Sequence, residues 1–403
     1  MKILSLFVCQ ANDLIDRILI NSQILYIINL KEKVMLNLVN IRKELHKIPE
    51  LGFEEFKTQE YLLNILKNFD GLNIHTFAFP GILVEYSHGA GEYKFFRADM
   101  DGLPITEETN CDFESEHKGK MHACGHDMHM TILIGLIEKV ITAELKENLL
   151  FLFQPAEEEK GGATRIIKTK ILDRFSVSEA YALHVKGKMK TGKIASKPGI
   201  FFANTREIEV VFKGIGAHIA FAEKGINALK AGAEFYLELE EEIKREFPIG
   251  KPVICSFGKM NAGVIRNTIP AECRLEGTLR AFTNENHEIL KALIENLRSK
   301  IAKKYDIDAE LIYKSYYKEV INNKDLYKKL KVIAAEMKLE FIESEMVFTG
   351  EDFGFFTEKY NGLLFWLGVG NDDDSDLHSS KFLPDEEAIN IGISIFFHLM
   401  ISK

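Results

Sequence analysis

The sequence has too few cysteines, too widely scattered, to be held by disulfides. Five occur in 403 residues (Cys9, Cys111, Cys124, Cys255 and Cys273), an odd number without paired spacing. That excludes a disulfide framework and suits a reducing compartment. Long apolar runs are missing as well. The stretch Ile3–Cys9 after Lys2 is short, is closed by no A-x-A-like site, and is broken by Gln10, Asn12 and Asp13. It falls well below the ~20 apolar residues that cross a bilayer. Residues 1–34 read as an extra amphipathic segment, or as a start placed upstream of a true one at Met35, and a cytoplasmic protein without membrane contact is expected. There is no basic surplus either: 51 Lys and Arg stand against 60 Asp and Glu, a net charge of -9. Such a chain has no general electrostatic reason to bind nucleic acid. The lysine-rich stretches 299–304 and 328–331 sit inside helix-like patterns and read as solvated faces.

What is present is enough apolar material for two cores, 46% of the residues. Short apolar runs repeatedly end at residues able to bind a metal. Tyr93–Phe96 leads to Asp99 and Asp101, Leu149–Phe153 to Glu157–Glu159, Ala180–Leu183 to His184, and Leu363–Val369, after the acidic turn Asp372–Asp376, to His378. Runs of this length read as buried strands, and the helix-length stretches between them, such as 127–145, imply a mostly parallel α/β sheet. Ligands of such sheets sit outside the carboxyl ends of the strands, where these residues fall. The middle of the chain reads differently. Strands at 206–213, 252–259, 271–281 and 307–314 alternate with helices at 225–245 and 284–304, in the β-α-β-β-α-β order of a ferredoxin-like unit. The expected organisation is therefore a catalytic domain of residues 35–203 and 318–403 interrupted by a small domain at 204–317.

His122-Ala123-Cys124-Gly125-His126-Asp127-Met128-His129 packs three histidines, a cysteine and an aspartate into eight residues. A thiolate, imidazoles and carboxylates together suit a divalent transition metal. Taken alone, Cys124 would read as a free buried thiol and the histidines as surface residues; the three further ligand types at strand ends favour the metal. Glu157 and Glu158 are adjacent on a turn and point different ways, so one can bind metal while its neighbour serves as the general base. Two metals would bring so many anionic groups closer to balance. Asp99 is expected near the metals or orienting a ligand; for Asp101, helix capping is the plainer reading. Chemistry by a nucleophilic Cys124 is the rival, but it leaves the Glu pair and His378 idle.

These residues resemble the aminoacylase-type metallo-amidohydrolases, a family of hippurate hydrolases, indole-acetyl-amino acid hydrolases and N-acetyldiaminopimelate deacetylases. The resemblance covers about 41–395 and rests on His46–Gly52, Arg97–Pro104, Met121–His129, Gln154–Glu158, Ala182–His184, Gly350–Phe353 and Leu377-His378. It implies Cys124, His126, Glu158, His184 and His378 as ligands of two divalent metal ions per subunit, their identity among Zn, Mn, Co and Ni left open, with Glu157 as proton acceptor and Asp99 at the family's other catalytic position. It implies that the inserted domain is a lid, often also a dimer contact, which presents His218 and Asn267 to substrate, and that the protein is a homodimer or higher homo-oligomer. The lid loop departs from the family pattern, with Ala217 where Gly is common and Ala222 where Pro is common. Within the family, 48–66 and 201–205 look most like the N-acetyldiaminopimelate deacetylases, which act in lysine synthesis. Hydrolysis of other N-acyl amino acids or dipeptides is the alternative within the mechanism. An inactive binding protein on the same fold is the alternative outside it, and retention of Glu157 argues against that.

Overall fold

The computed structural model describes residues 36–158, 161–248, 253–370 and 375–402. The reading of 1–34 as an extension, Glu159 and most of the turn Asp372–Asp376 lie outside the described residues. Arg42–Lys403 forms one compact unit.

Its larger sheet has eight strands, in the order Leu72–Thr76, Ile82–Tyr86, Leu149–Gln154, Tyr93–Asp99, Val177–Lys190, Asn361–Gly370, Lys193–Ser196 and Glu340–Glu343. The four central strands run parallel, while Ile82–Tyr86 and Lys193–Ser196 flank them antiparallel. The central sequences have no polar alternation because both faces are covered: Leu149–Gln154 is buried at every position. The helix His126–Thr142 packs against both the sheet and the helix Ala388–Ile401. Met128, Ile132, Leu133, Leu136 and Ile137 are buried as the spacing predicts, but so are His126, Asp127, His129 and Thr131. Up to Ile137 this helix is enclosed on all sides, and the polar residues of that part serve the site rather than solvent.

Two local details differ from the sequence reading. His126 is the first residue of the helix rather than a residue before it, with Gly125 at the cap in a left-handed conformation, φ 80°. His184 does not end its strand, which continues to Lys190 because Asn361–Gly370 pairs with it that far. Pairing on the other side stops at Arg97 opposite Ala182, so His184 lies two residues past the last pair, level with Asp99 at the carboxyl end of its neighbour.

The smaller sheet is antiparallel, in the order Val253–Ala262, Glu272–Ala281, Asn204–Lys213 and Asp308–Tyr317. Helices Ala228–Glu246 and Asn284–Tyr305 cover one face, on which Ile208, Val210 and Phe212 pack against Ala231, Phe235, Ile294 and Leu297. Residues of opposite parity, including Thr205, Glu207 and Glu209, therefore occupy the other face. The first helix starts at Ala228 because Asn227 accepts the N–H of Lys230 and caps it there.

The turn after Leu149–Gln154 is the tightest feature near the sheet's carboxyl edge. Ala156 adopts a left-handed φ of 56°, and a Cβ on Gly162 would lie 1.7 Å from the Pro155 carbonyl oxygen. Replacing Gly162 with Ala must therefore displace the backbone that carries Glu157 and Glu158. Gly162→Ala is expected to cost on the order of 2 kcal/mol in urea unfolding and to lower activity with it. Unchanged unfolding and turnover would contradict this account of the turn.

Candidate metal centre

Three histidines and a cysteine converge where the helix His126–Thr142 meets His184. His126 Nδ1 donates to the Asp101 carbonyl at 2.8 Å, and His184 Nδ1 donates to the Val185 carbonyl at 2.8 Å. A carbonyl can only accept, so each ring carries its proton on Nδ1 and turns the Nε2 lone pair inward. His184 Nε2 stands 3.4 Å from Cys124 Sγ, and His378 Nε2 stands 3.3 Å from the same sulfur. His126 Nε2 is buried without a hydrogen-bond partner. Ligand atoms of Cys124, His126 and His184 lie within 4.8 Å of one another, as do those of Cys124, Glu158 and His378, and those of His126, Glu157 and Glu158. His378 reaches the cluster from a strained left-handed φ of 63°, its N–H donating to the Ala123 carbonyl at 2.8 Å.

His129 lies in the same cluster but is already committed. Its Nε2 accepts the Val185 N–H at 2.9 Å, so Nδ1 carries the proton given to Asp99 Oδ1 at 2.5 Å. His46 is committed too, between Asp127 at 2.9 Å and Glu107 at 3.0 Å. With Arg42, which donates to Asp127 at 2.8 Å, it anchors the start of the helix.

The carboxylates are arranged around two fixed points. Asp101 accepts the Glu157 N–H at 3.1 Å on one oxygen and the Glu158 N–H at 3.0 Å on the other. It caps no helix, contrary to its plainer reading; it clamps the Glu turn. Arg97 donates to Asp99 at 2.6 Å and to Asp352 at 2.6 Å, with Glu351 at 3.2 Å. The two glutamates do point apart. Glu157 Oε1 accepts the Asp352 N–H at 3.2 Å, whereas Glu158 Oε1 faces His378 Nε2 at 3.3 Å. Tyr317, from the last strand of the smaller sheet, donates to the carbonyls of both glutamates.

The electrostatics favour a cation. Asp99, Asp101, Glu157, Glu351 and Asp352 are all at most 5% exposed, and one guanidinium cannot offset them together with Glu158. Burial, reinforced by Glu351, Glu158 and Asp352, pushes the Glu157 carboxyl well above its usual range. Burial would lower His126, but Asp99, Asp101 and Glu158 hold it up at about 10, so positive charge is attracted to that Nε2. Burial and the two glutamates push the Cys124 thiol far up, while burial pulls His184 down to about 3. A thiolate–imidazolium pair with His184 is thus disfavoured, while the proton that Glu158 favours on His378 is directed to that carboxylate as well as to the sulfur. The residues present fit divalent metal: soft and nitrogen donors on buried lone pairs, oxygen donors beside them, and an excess of negative charge.

Known proteins resemble the chain over most of its length. The model of peptidase family M20/M25/M40 matches residues 95–402. The chain belongs to that family. It is 40% identical over 371 residues to an N-acetyldiaminopimelate deacetylase of Shouchella clausii, covering 92% of this chain and 99% of that protein. A Bacillus pumilus N-acetyldiaminopimelate deacetylase is 39% identical over 362 residues, covering 89% and 96%. Among solved structures, the Bacillus subtilis YXEP protein, a dinuclear metal binding peptidase from the M20 family, superposes with a TM-score of 0.77 at 30% identity, covering 90% of this chain and 96% of that one. In this M20 chain a cavity of about 380 Å³ opens onto the cluster, lined by Cys124, Glu157, Glu158, His184 and His378 and by Thr205, Glu207, Thr278, Arg280 and Tyr317 of the smaller sheet.

Not every anticipated residue reaches that cavity. Asp99 does not line it; it holds His129 and Arg97 from behind, with Oδ2 3.7 Å from His126 Nε2. His218 and Asn267 do not line it either. His218 pairs with Thr268 in a two-stranded ribbon next to the smaller sheet, and Asn267 precedes that ribbon, its carbonyl accepting the Ile219 N–H at 3.0 Å; the exposed His218 accepts the Ala220 N–H at 3.1 Å. Conversely, sequence reasoning gave no role to Arg97, His129, Glu351, Asp352 or Tyr317. The first four were visible as charged or polar residues beside apolar runs or within quoted motifs. Tyr317 stands 160 positions from Glu157 and carries no local signal.

Two outcomes follow from the geometry. Arg97→Met leaves Asp99, Glu351 and Asp352 without their counter-charge and should cost roughly 3–5 kcal/mol in urea unfolding; a loss below about 1 kcal/mol would remove Arg97 from its central place. Cys124→Ala should lower the divalent metal that copurifies, by elemental analysis, with activity partly restored by added metal. A covalent acyl-enzyme trapped from chelator-treated protein would instead favour the nucleophile.

Proposed function

We propose that the chain is a metal-dependent deacetylase that hydrolyses N-acetyl-LL-2,6-diaminopimelate to LL-2,6-diaminopimelate and acetate, a step of lysine synthesis. The observation that carries the reading is its match, over nine-tenths of its length, to N-acetyldiaminopimelate deacetylases. The cavity chemistry supports it. The substrate carries two carboxylates and one ammonium, and the lining includes a guanidinium, Arg280, with hydroxyls of Thr205, Thr278 and Ser315. A site built for polar groups rejects substrates that would leave them unpaired.

Cys124, His126, His184, Glu158 and His378 would hold the metal, two ions per chain. Bound there, divalent metal would polarise the amide carbonyl and make water more acidic. Glu157 lines the cavity without being needed as a ligand, and its carboxyl is held high by burial and like charge. It takes the proton of the attacking water and passes it to the nitrogen of the leaving amine. Asp99 fixes His129 and, with Arg97, the carboxylate frame. Tyr317 and Asp101 hold the backbone of the Glu157–Glu158 turn from opposite sides, so the base keeps its position while the proton moves. His218 and Asn267, away from the cavity of their own chain, would touch substrate in a second copy's site, which is why a homodimer belongs to this reading.

Glu157→Gln tests the chemistry. It should keep fold and bound metal while kcat falls ~10²–10⁴-fold. Nearly unchanged kcat in the metal-loaded variant would end the role of Glu157. A panel of kcat/KM values over N-acyl amino acids tests the substrate. N-acetyldiaminopimelate should exceed hippurate and N-acetyl-leucine, and the reverse order would leave only the general amidohydrolase.

A further inference from the structure

One carboxylate at the site has no part in the chemistry above. Glu207 lies on the strand Asn204–Lys213, directly opposite Thr278, and lines the same cavity as Glu157. Its face of the small sheet is the one no helix covers. The other glutamates of that face are all paired with cations: Glu209 with Arg274 at 2.5 Å and Lys314 at 3.1 Å, Glu276 with Lys259 at 2.6 Å, Glu310 with Lys213 at 2.5 Å, and Glu272 with Arg274 at 3.6 Å. Among the described residues Glu207 has no ion-pair partner within 4.0 Å. The adjacent Arg206 cannot serve, because it points to the other face and stacks on Tyr316 at 4.3 Å. Arg280, opposite Thr205 and nearest in register on the same face, gives a hydrogen bond to the Phe348 carbonyl at 2.7 Å instead.

The geometry points to Glu207 as the residue that selects an amino group at the far end of the substrate, by accepting the ammonium of a diamino dicarboxylic acid. This rests on the deacetylase reading and deepens it. The substrate's reacting amine is acylated and uncharged, so its one ammonium is the distal one. A cavity that takes such a molecule needs a carboxylate there that no protein cation already neutralises. Glu207 is free in that sense, whereas Glu157 and Glu158 face the reacting end with the metal-binding donors. A substrate with an apolar or anionic far end would leave Glu207 desolvated without a partner, so the same residue attracts one class and repels the other.

The test compares two substrates on the metal-loaded enzyme: N-acetyl-2,6-diaminopimelate and N-acetyl-2-aminopimelate, which lacks only the distal amine. The unsubstituted enzyme should prefer the first by about 10- to 100-fold in kcat/KM, the range for a hydrogen-bonded charge pair. In Glu207→Gln this ratio should collapse towards one through loss on the first substrate, and Glu207→Asp should keep part of it. A structural role would lower both substrates together and leave the ratio standing, which overturns the proposal. So does an unchanged ratio in a variant whose thermal unfolding is normal. If the unsubstituted enzyme itself cleaves hippurate faster than either pimelate derivative, the substrate reading fails first and the assignment of Glu207 falls with it.

Discussion

The convergence of buried negative charge on one point is the constraint around which this molecule is built. Asp99, Asp101, Glu157, Glu351 and Asp352 are buried at the carboxyl edge of the parallel sheet, with Glu158 beside them. Such a cluster survives only if each oxygen has a donor or a cation. Arg97 serves Asp99, Glu351 and Asp352, backbone N–H groups serve Asp101 and Asp352, and the lone pairs of His126 and His184 turn toward the same cluster. The carboxyls of Glu351 and Asp352, raised by burial to about 7 and about 6 against the pull of Arg97, register how little counter-charge the protein itself supplies.

The two sheets meet in this cluster. Tyr317 ends a strand of the small sheet and holds the carbonyls of both turn glutamates, so the position of the small domain and the placing of the proposed base are mechanically joined. The open face of the same sheet supplies Thr205, Glu207, Thr278 and Arg280 to the cavity, while its other face is spent on a core of its own. One sheet thus lines the cavity and supports the turn that carries the proposed base.

Much of this was legible in the sequence, for identifiable reasons. Apolar runs such as Leu149–Phe153 announce strands buried on both faces, and the residues that follow them fall at the sheet's carboxyl edge. The ferredoxin-like order of the middle segment follows from a change of period between Ile208-Val210-Phe212 and the helices. The clustering of Cys124, His126, His184, Glu158 and His378 was likewise anticipated, because their types and places suit one chemistry. What stayed hidden depends on partners distant in sequence. The continuation of the strand beyond His184 needs Asn361–Gly370 beside it, and the clamp made by Asp101 needs the Glu turn folded back over it. The separation of His218 and Asn267 from the cavity depends on how a ribbon of the small domain is placed, which no local pattern encodes.

The most direct measurement of the central claim is a metal titration. Protein stripped by chelator is reloaded with a divalent transition metal while free diaminopimelate released from N-acetyldiaminopimelate is measured. Activity should be absent at the start and rise with bound metal to a plateau at about two equivalents per chain. Full activity in stripped protein, verified free of metal by elemental analysis, would contradict the account.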